Sequence, residues 1–216
     1  MQCMHPELLA KSVAAIEPKT TLDQFQAMSG ISSRVVARNV LKYLHSNGIG
    51  IFSKSEITFA NSDRLRVAAL AIQSGCDIEQ ISRYLSWKDF EKLTSKVLLS
   101  LGYQTKTNII LTKPRIEIDV IGINSGLAIV VDCKHWKRSN LSSISNYSHK
   151  QAARAERLLE YDKKVTEAIP VMLTLHSESV QFINRIPIVP ISQFKLFVMD
   201  IKEFLSEICV ITALKD

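Results

Sequence analysis

Two apolar segments joined by Asn124-Ser125-Gly126 constrain this chain more than anything else in it. The upstream segment reads Ile116-Glu-Ile-Asp119-Val-Ile, and the downstream one Leu127-Ala-Ile-Val-Val-Asp132-Cys-Lys134. Asn-Ser-Gly is hairpin-turn chemistry, because a tight link between paired strands needs residues that tolerate positive φ. The segments are therefore expected to fold back as neighbouring strands. Side chains alternate faces along a strand, so Asp132 and Lys134 leave one side while Val131 and Cys133 leave the other. Pairing brings Asp119, Asp132 and Lys134 together at one end of a small sheet. A run of Ile-Asp-Val-Ile normally avoids aspartate, so position 119 is unusual for plain strand.

Two carboxylates beside a lysine are the parts of a metal-dependent phosphodiesterase site. Such hydrolysis needs a cation against the nonbridging oxygens, a water in line, and help for the leaving oxygen. Mg²⁺ prefers oxygen ligands and keeps several waters, so two carboxylates plus a substrate phosphate suffice, with Mn²⁺ as a substitute. On this reading Asp119 and Asp132 are the metal ligands, and Lys134 orients or deprotonates the attacking water. Each residue has a bland alternative. Asp119 could be an exposed strand residue, Asp132 a strand-end turn residue, and Lys134 a surface lysine with a buried stem.

These residues resemble the PD-(D/E)XK nuclease superfamily, the restriction-endonuclease-like fold. Within it they are most similar to the Mrr-type restriction endonucleases and the archaeal Holliday-junction-resolvase-like enzymes. The likeness rests on an I-x-I-D-V strand, a short turn, an I-V-V-D-C-K strand and a flanking helix with Phe90-Glu91 near its start, over roughly residues 86–216. It implies a first acid at Asp119, a D-x-K pair at Asp132 and Lys134, an acid on the preceding helix at Glu91, and a glutamine on the following helix at Gln151. Many Mrr-like sequences carry glycines around the first aspartate, where this chain has Pro114-Arg115-Ile116-Glu117-Ile118. Read by itself, Glu91 lies beside the apolar stripe of its helix and can face the site or solvent. Gln151 stands three residues after Ser148, where a capping-box glutamine belongs. Cys133 and His135 share the opposite strand face, but with no further ligands evident nearby Cys133 reads as core rather than zinc site.

Charge distribution points to a polyanionic partner. The chain has 27 Lys and Arg against 21 acidic residues, a net charge of +6. Nearly all of that excess falls in residues 134–164, with eight basic side chains against three acids. Lys137, Arg138, Lys150, Arg154 and Arg157 are therefore candidate DNA-backbone contacts, the alternative being a solvated helix face. Apolar runs such as residues 67–72 and 127–131 are too short to span a bilayer, so no membrane partner is expected. The N-terminus lacks a basic-then-apolar signal pattern, which predicts a cytoplasmic location. The four cysteines are scattered without a C-x-x-C pair, which suits reduced, packed thiols.

Along the chain, residues 1–60 read as a winged helix-turn-helix domain. Amphipathic helices are predicted over 7–16 and 21–28, then a helix capped by Ser32 or Ser33, then a hairpin wing over 52–59. This order resembles the winged-helix modules of DNA-binding regulators. Arg34, Arg38 and Lys42 fall on the outer side of the third helix, the side a recognition helix presents to the major groove. Protein interaction is the alternative role. Residues 61–85 are predicted to form a helical connector, and 86–216 a nuclease-like α/β domain. In that domain a stripe of Phe90, Leu93, Val97 and Leu101 marks a first helix, and Ser148 opens a second after the hairpin. Residues 169–175 and 186–191 are further buried strands, followed by a mainly helical tail. The expected architecture is thus a restriction-endonuclease-like mixed sheet flanked by helices and preceded by a winged-helix domain. The expected function is a Mg²⁺-dependent DNA endonuclease. A non-enzymatic DNA-binding regulator on a nuclease scaffold is the alternative, an RNA nuclease a more distant one, and a homodimer is left open.

Overall fold

Proline at the first helical position and short polar caps set the helix starts of the N-terminal part, where backbone N–H groups would otherwise lack partners. The computed structural model describes residues 4–53, 56–134, 141–175 and 181–213. Pro6 opens α1 (Pro6–Val13), and β1 (Lys19–Thr20) follows. Thr21 caps α2 (Leu22–Ser29) in a capping box with Gln24, and Gly30 ends it at φ 65°. Ser33 caps α3 (Arg34–Ser46). β2 (Ile51–Phe52) and β3 (Ile57–Thr58) pair antiparallel, and β1 adds to β3 in a small three-stranded sheet. Of the expected wing, Lys54 and Ser55 lie outside the described residues. α4 (Asp63–Gln73) and α5 (Ile78–Ser82) complete this part, the latter capped by Asp77.

α1 packs against α2, α3 and α4. Leu9, Val13, Phe25, Val40, Leu44 and Leu65 are among the buried residues of this part. Asp63 is buried and accepts from the Gly50 and Ala60 N–H groups at 3.2 and 3.0 Å, while Arg66 reaches its other oxygen at 2.9 Å. The first compact unit therefore runs Met1–Ser86, and the helices expected as a connector over 61–85 lie within it.

The second unit, Trp87–Asp216, is built on a seven-stranded mixed sheet. After α6 (Trp87–Ser100) come β4 (Gln104–Leu111), β5 (Ile116–Asn124) and β6 (Leu127–Lys134), a meander of antiparallel strands. The long helix α7 (Leu141–Tyr161) then leads to β7 (Glu167–Thr174), parallel to β6. β8 (Gln181–Ile183) and β9 (Ile186–Pro190) form a hairpin, with β9 parallel to β7. α8 (Ile191–Met199), a 3-10 turn (Ile201–Phe204) and β10 (Ile211–Thr212) close the chain. The sheet order is β4-β5-β6-β7-β9-β8, and β10 pairs with the start of β7, which β9 does not reach. β6 and β7 are almost wholly buried, as central strands covered on both faces must be. This mixed sheet flanked by helices fits the restriction-endonuclease-like architecture.

α7 covers one face, laying Ala155, Leu158 and Leu159 over Ile118, Ile121 and Val130. α6 covers the other, and its Leu98 sits so close to β5 that a Cβ on Gly122 would meet Leu98 Cδ1 at 3.0 Å. The buried stripe of α6 uses Leu98 where Val97 was expected. α7 begins at Leu141, seven residues before the expected start at Ser148, because Ile144 packs onto Met172, Ile186 and Ile188. The tail is α-helical to Met199 and 3-10 helical over Ile201–Phe204, and then returns to the sheet with Ile211 opposite Ala168. Among the described residues no helix is long and apolar enough to cross a membrane.

Candidate active site

The turn between β5 and β6 is Ser125 and Gly126, both left-handed at φ 50° and 84°. It pairs Asn124 with Leu127, and the ladder runs regularly to Val120 opposite Val131. One step further, the same register sets Asp119 opposite Asp132, and there the strands fork. The Cys133 N–H donates to Asp119 Oδ2 at 2.8 Å, so a side-chain oxygen stands where a strand carbonyl would. β4 has a matching break. Thr107 pairs with Val120 and Ile109 with Ile118, while Asn108 between them is left-handed at φ 53°. Asparagine is one of the few residues that adopts this backbone at low cost.

Asp132 is 2% exposed at the end of a central strand. Lys134 Nζ lies 2.8 Å from its Oδ2, off the hydrogen-bond direction, and Arg154 lies 3.3 Å from Oδ1. Arg154 is itself held by Gln151 Oε1 at 3.1 Å. The Gln151 amide is fully buried and donates to the Val130 and Val171 carbonyls at 2.7 and 3.2 Å, which ties α7 to β6 and β7. A helix-capping role for Gln151 is excluded, since α7 starts at Leu141. Its reach to Asp132 is through Arg154. Lys134 Nζ also stands 4.8 Å from the centre of the Tyr147 ring.

Burial of this much charge disturbs proton affinities. Burial first, then the neighbouring Asp132 charge, pushes the Asp119 carboxyl up to about 6; the Cys133 N–H pulls it down, Glu91 pushes it further and Lys134 opposes the rise. Glu91 is 2% exposed, so it does not face solvent. Burial raises its carboxyl too, hydrogen bonds from Asn108 and Trp87 oppose the rise, and Glu117 adds to it. Cys133 points to the α6 face, 3.7 Å from Thr94 Oγ1, and burial pushes its thiol well up, as suits a core residue.

The donor set suits a hard divalent cation. Among the described residues Asp132 Oδ2 and Glu91 Oε2 are buried oxygens without a hydrogen-bond partner, and Asp119 is pushed up by burial and then by adjacent negative charge that a cation would offset. Among the described residues no three His, Cys, Asp or Glu side chains converge on one point. An ion here would rest on Asp119 and Asp132 and keep water for its other positions, the habit of Mg²⁺.

The other expected contacts are scattered. Lys150 is exposed, with Nζ 5.9 Å from the Tyr147 ring centre. Arg157 donates to the carbonyls of Thr112 and Lys113 and pairs with Glu160, which commits it within the fold. Lys137 and Arg138 lie outside the described residues. In the first unit Arg38 and Lys42 are exposed on α3, and Arg34 pairs with Asp23. Tyr147 and Asn108 were not anticipated. Their signals were faint: an asparagine inside Thr-Asn-Ile-Ile, and an aromatic ring one helical turn before Gln151.

Residues 82–155 match the family Mrr_cat, described as restriction endonuclease. An uncharacterized protein of Archaeoglobus fulgidus is 26% identical over 127 residues, which is 57% of this chain and 97% of that protein. A solved protein of unknown function is 22% identical, covering 39% of this chain and 44% of that one, with a TM-score of 0.31. A Vibrio cholerae protein is 13% identical over 94% of this chain and 51% of that one, with a TM-score of 0.42. The chain thus spans about half the length of each of those two solved chains. The stretch similar to the restriction endonuclease family contains Glu91, Asp119, Asp132, Lys134 and Gln151, and this supports a nuclease-like domain of the PD-(D/E)XK kind.

Proposed function

We propose that the second unit is a Mg²⁺-dependent DNA endonuclease and that the first is a winged helix-turn-helix that helps it bind DNA. The observation that carries the reading is the fork between β5 and β6. It sets Asp119 opposite Asp132 with Lys134 2.8 Å from the latter, inside the stretch that matches the restriction endonuclease family. Asp119 and Asp132 hold the cation, which when bound supplies charge neutralisation at the phosphate and a more acidic water. Lys134 balances charge beside the reacting phosphate and orients the attacking water. Arg154, held by Gln151, and the exposed Lys150 take phosphate oxygens. In the first unit the order α1, β1, α2, α3 and a β2–β3 hairpin supports the winged-helix reading. The exposed Arg38 and Lys42 suit a helix facing a groove, whereas the ion pair with Asp23 weakens the case for Arg34.

The test is incubation of the purified chain with plasmid, nicked, branched and methylated DNA and with RNA, in Mg²⁺, Mn²⁺ or EDTA. DNA strand cleavage is expected with either metal, none in EDTA, and none by Asp132→Ala or Lys134→Ala whose circular dichroism matches the parent. Cleavage at the parental rate by Lys134→Ala would overturn the assigned chemistry. DNA binding without cleavage in any metal would favour the non-enzymatic scaffold instead, and cleavage of RNA alone would reassign the substrate.

A further inference from the structure

We propose that Tyr147 is a positioning residue whose ring face clamps the Lys134 ammonium beside Asp132. The inference rests on the endonuclease reading and adds a part to its machinery. Lys134 Nζ stands 4.8 Å from the ring centre, inside the range of a cation–π contact, and 2.8 Å from Asp132 Oδ2. The ammonium is thus held between a carboxylate and an aromatic face.

Tyr147 is well placed to do this. Its ring packs against the cluster of Ile144, Met172, Ile186 and Ile188, so the core constrains it as well as the lysine. Gln151 and Arg154 lie four and seven residues further along α7, on the same helix face. One helix therefore delivers a ring to Lys134 and a guanidinium to Asp132. A lysine stem has four rotatable bonds and is costly to hold in one place. When Asp132 shares its charge with a bound cation, its hold on Lys134 weakens, and the ring keeps the ammonium where the attacking water must be oriented. Lys150 shares the ring from 5.9 Å but is exposed, which leaves it open to substrate phosphate.

Two readouts test the clamp. The first is the side-chain NMR spectrum of Lys134, assigned by comparison with Lys134→Arg. Its methylene signals next to Nζ should be shifted upfield by the ring in the parent, remain so in Tyr147→Phe, and return to ordinary positions in Tyr147→Met. The second is steady-state cleavage with Mg²⁺. Tyr147→Met should lose about two- to thirtyfold in kcat, with KM nearly unchanged, and Tyr147→Phe should restore kcat. Unshifted Lys134 signals in the parent would overturn the clamp without recourse to any Tyr147 variant. Parental kcat in Tyr147→Met, or an equal loss in Tyr147→Phe, would overturn the role of the ring. A parent that cleaves nothing sinks the endonuclease reading, and the NMR comparison then decides the clamp by itself.

Discussion

Asp119 couples the site to pH in a direction opposite to that of most carboxylates. Its ordinary value is 3.8, and burial with the Asp132 charge raises it to about 6 in the fold. Between those values the folded chain holds a proton that the unfolded chain has lost. The stability this group contributes is present below the unfolded value and is lost as pH rises through that window. In EDTA, Asp119→Asn should therefore melt higher than the parent at pH 8 and much like it at pH 4, since the amide oxygen still accepts from Cys133. Mg²⁺ should raise the parental melting temperature more at pH 8 than at pH 5 and do little for the variant. A variant that melts lower than the parent at pH 8 in EDTA would contradict this. Lys150 has a separate consequence. Lys150→Met should weaken binding to all DNA sequences alike and reduce the salt slope by about one, leaving Mn²⁺ affinity intact by calorimetry. At this scale the convergence of Asp119, Asp132 and Lys134 was legible, because a turn and the alternation of a strand are local rules. Asn108 and Tyr147 were not, because each is defined by a partner distant in sequence, Glu91 for one and Lys134 for the other.

The elements tell the same story of local rules and long-range overrides. Ser33, one of the two serines expected to cap α3, does so, and Thr21 and Asp77 cap α2 and α5 by the same rule, since a cap needs only its own next turn. α7 was misjudged because Leu141-Ser-Ser-Ile-Ser-Asn reads as loop, serine and asparagine being weak helix formers. Packing of Ile144 beneath the sheet outweighs that weakness. β1 and β10 are two residues each and exist through pairing with β3 and β7, which no local pattern announces. Gly126 shows how tightly the β5–β6 hairpin is joined to the rest. It is left-handed at φ 84°, its carbonyl accepts from the Thr166 and Glu167 N–H groups, and a Cβ there would meet Thr166 Oγ1 at 2.8 Å. Gly126→Ala should cost about 1–2 kcal/mol from the backbone alone, with the crowding in addition. Urea unfolding of the second unit would read this, and an unchanged midpoint would show that the turn relaxes freely.

The molecule as a whole divides at residue 86, and that boundary makes the proposed division of labour testable. Residues 1–86 expressed alone should bind duplex DNA without cutting it, with affinity falling steeply as salt rises. Arg38→Glu with Lys42→Glu should weaken that binding at least tenfold in a fluorescence titration. An unchanged dissociation constant would move the first unit from DNA to protein contacts. The start of the second unit falls within a residue of the expected 86, but the membership of the helices over 61–85 in the first unit was not legible, because the amphipathic pattern of 63–73 shows that a helix buries one face but not which neighbour covers it. The partner is α1, far back in the chain.

The bond from the Cys133 N–H to Asp119 makes one backbone amide a reporter for the centre. Its nitrogen and proton resonances follow whatever charge that carboxylate carries. A single peak in an isotope-labelled sample should therefore move with a midpoint near pH 6 and move again as Mg²⁺ is added, allowing occupancy to be counted with no substrate in the tube.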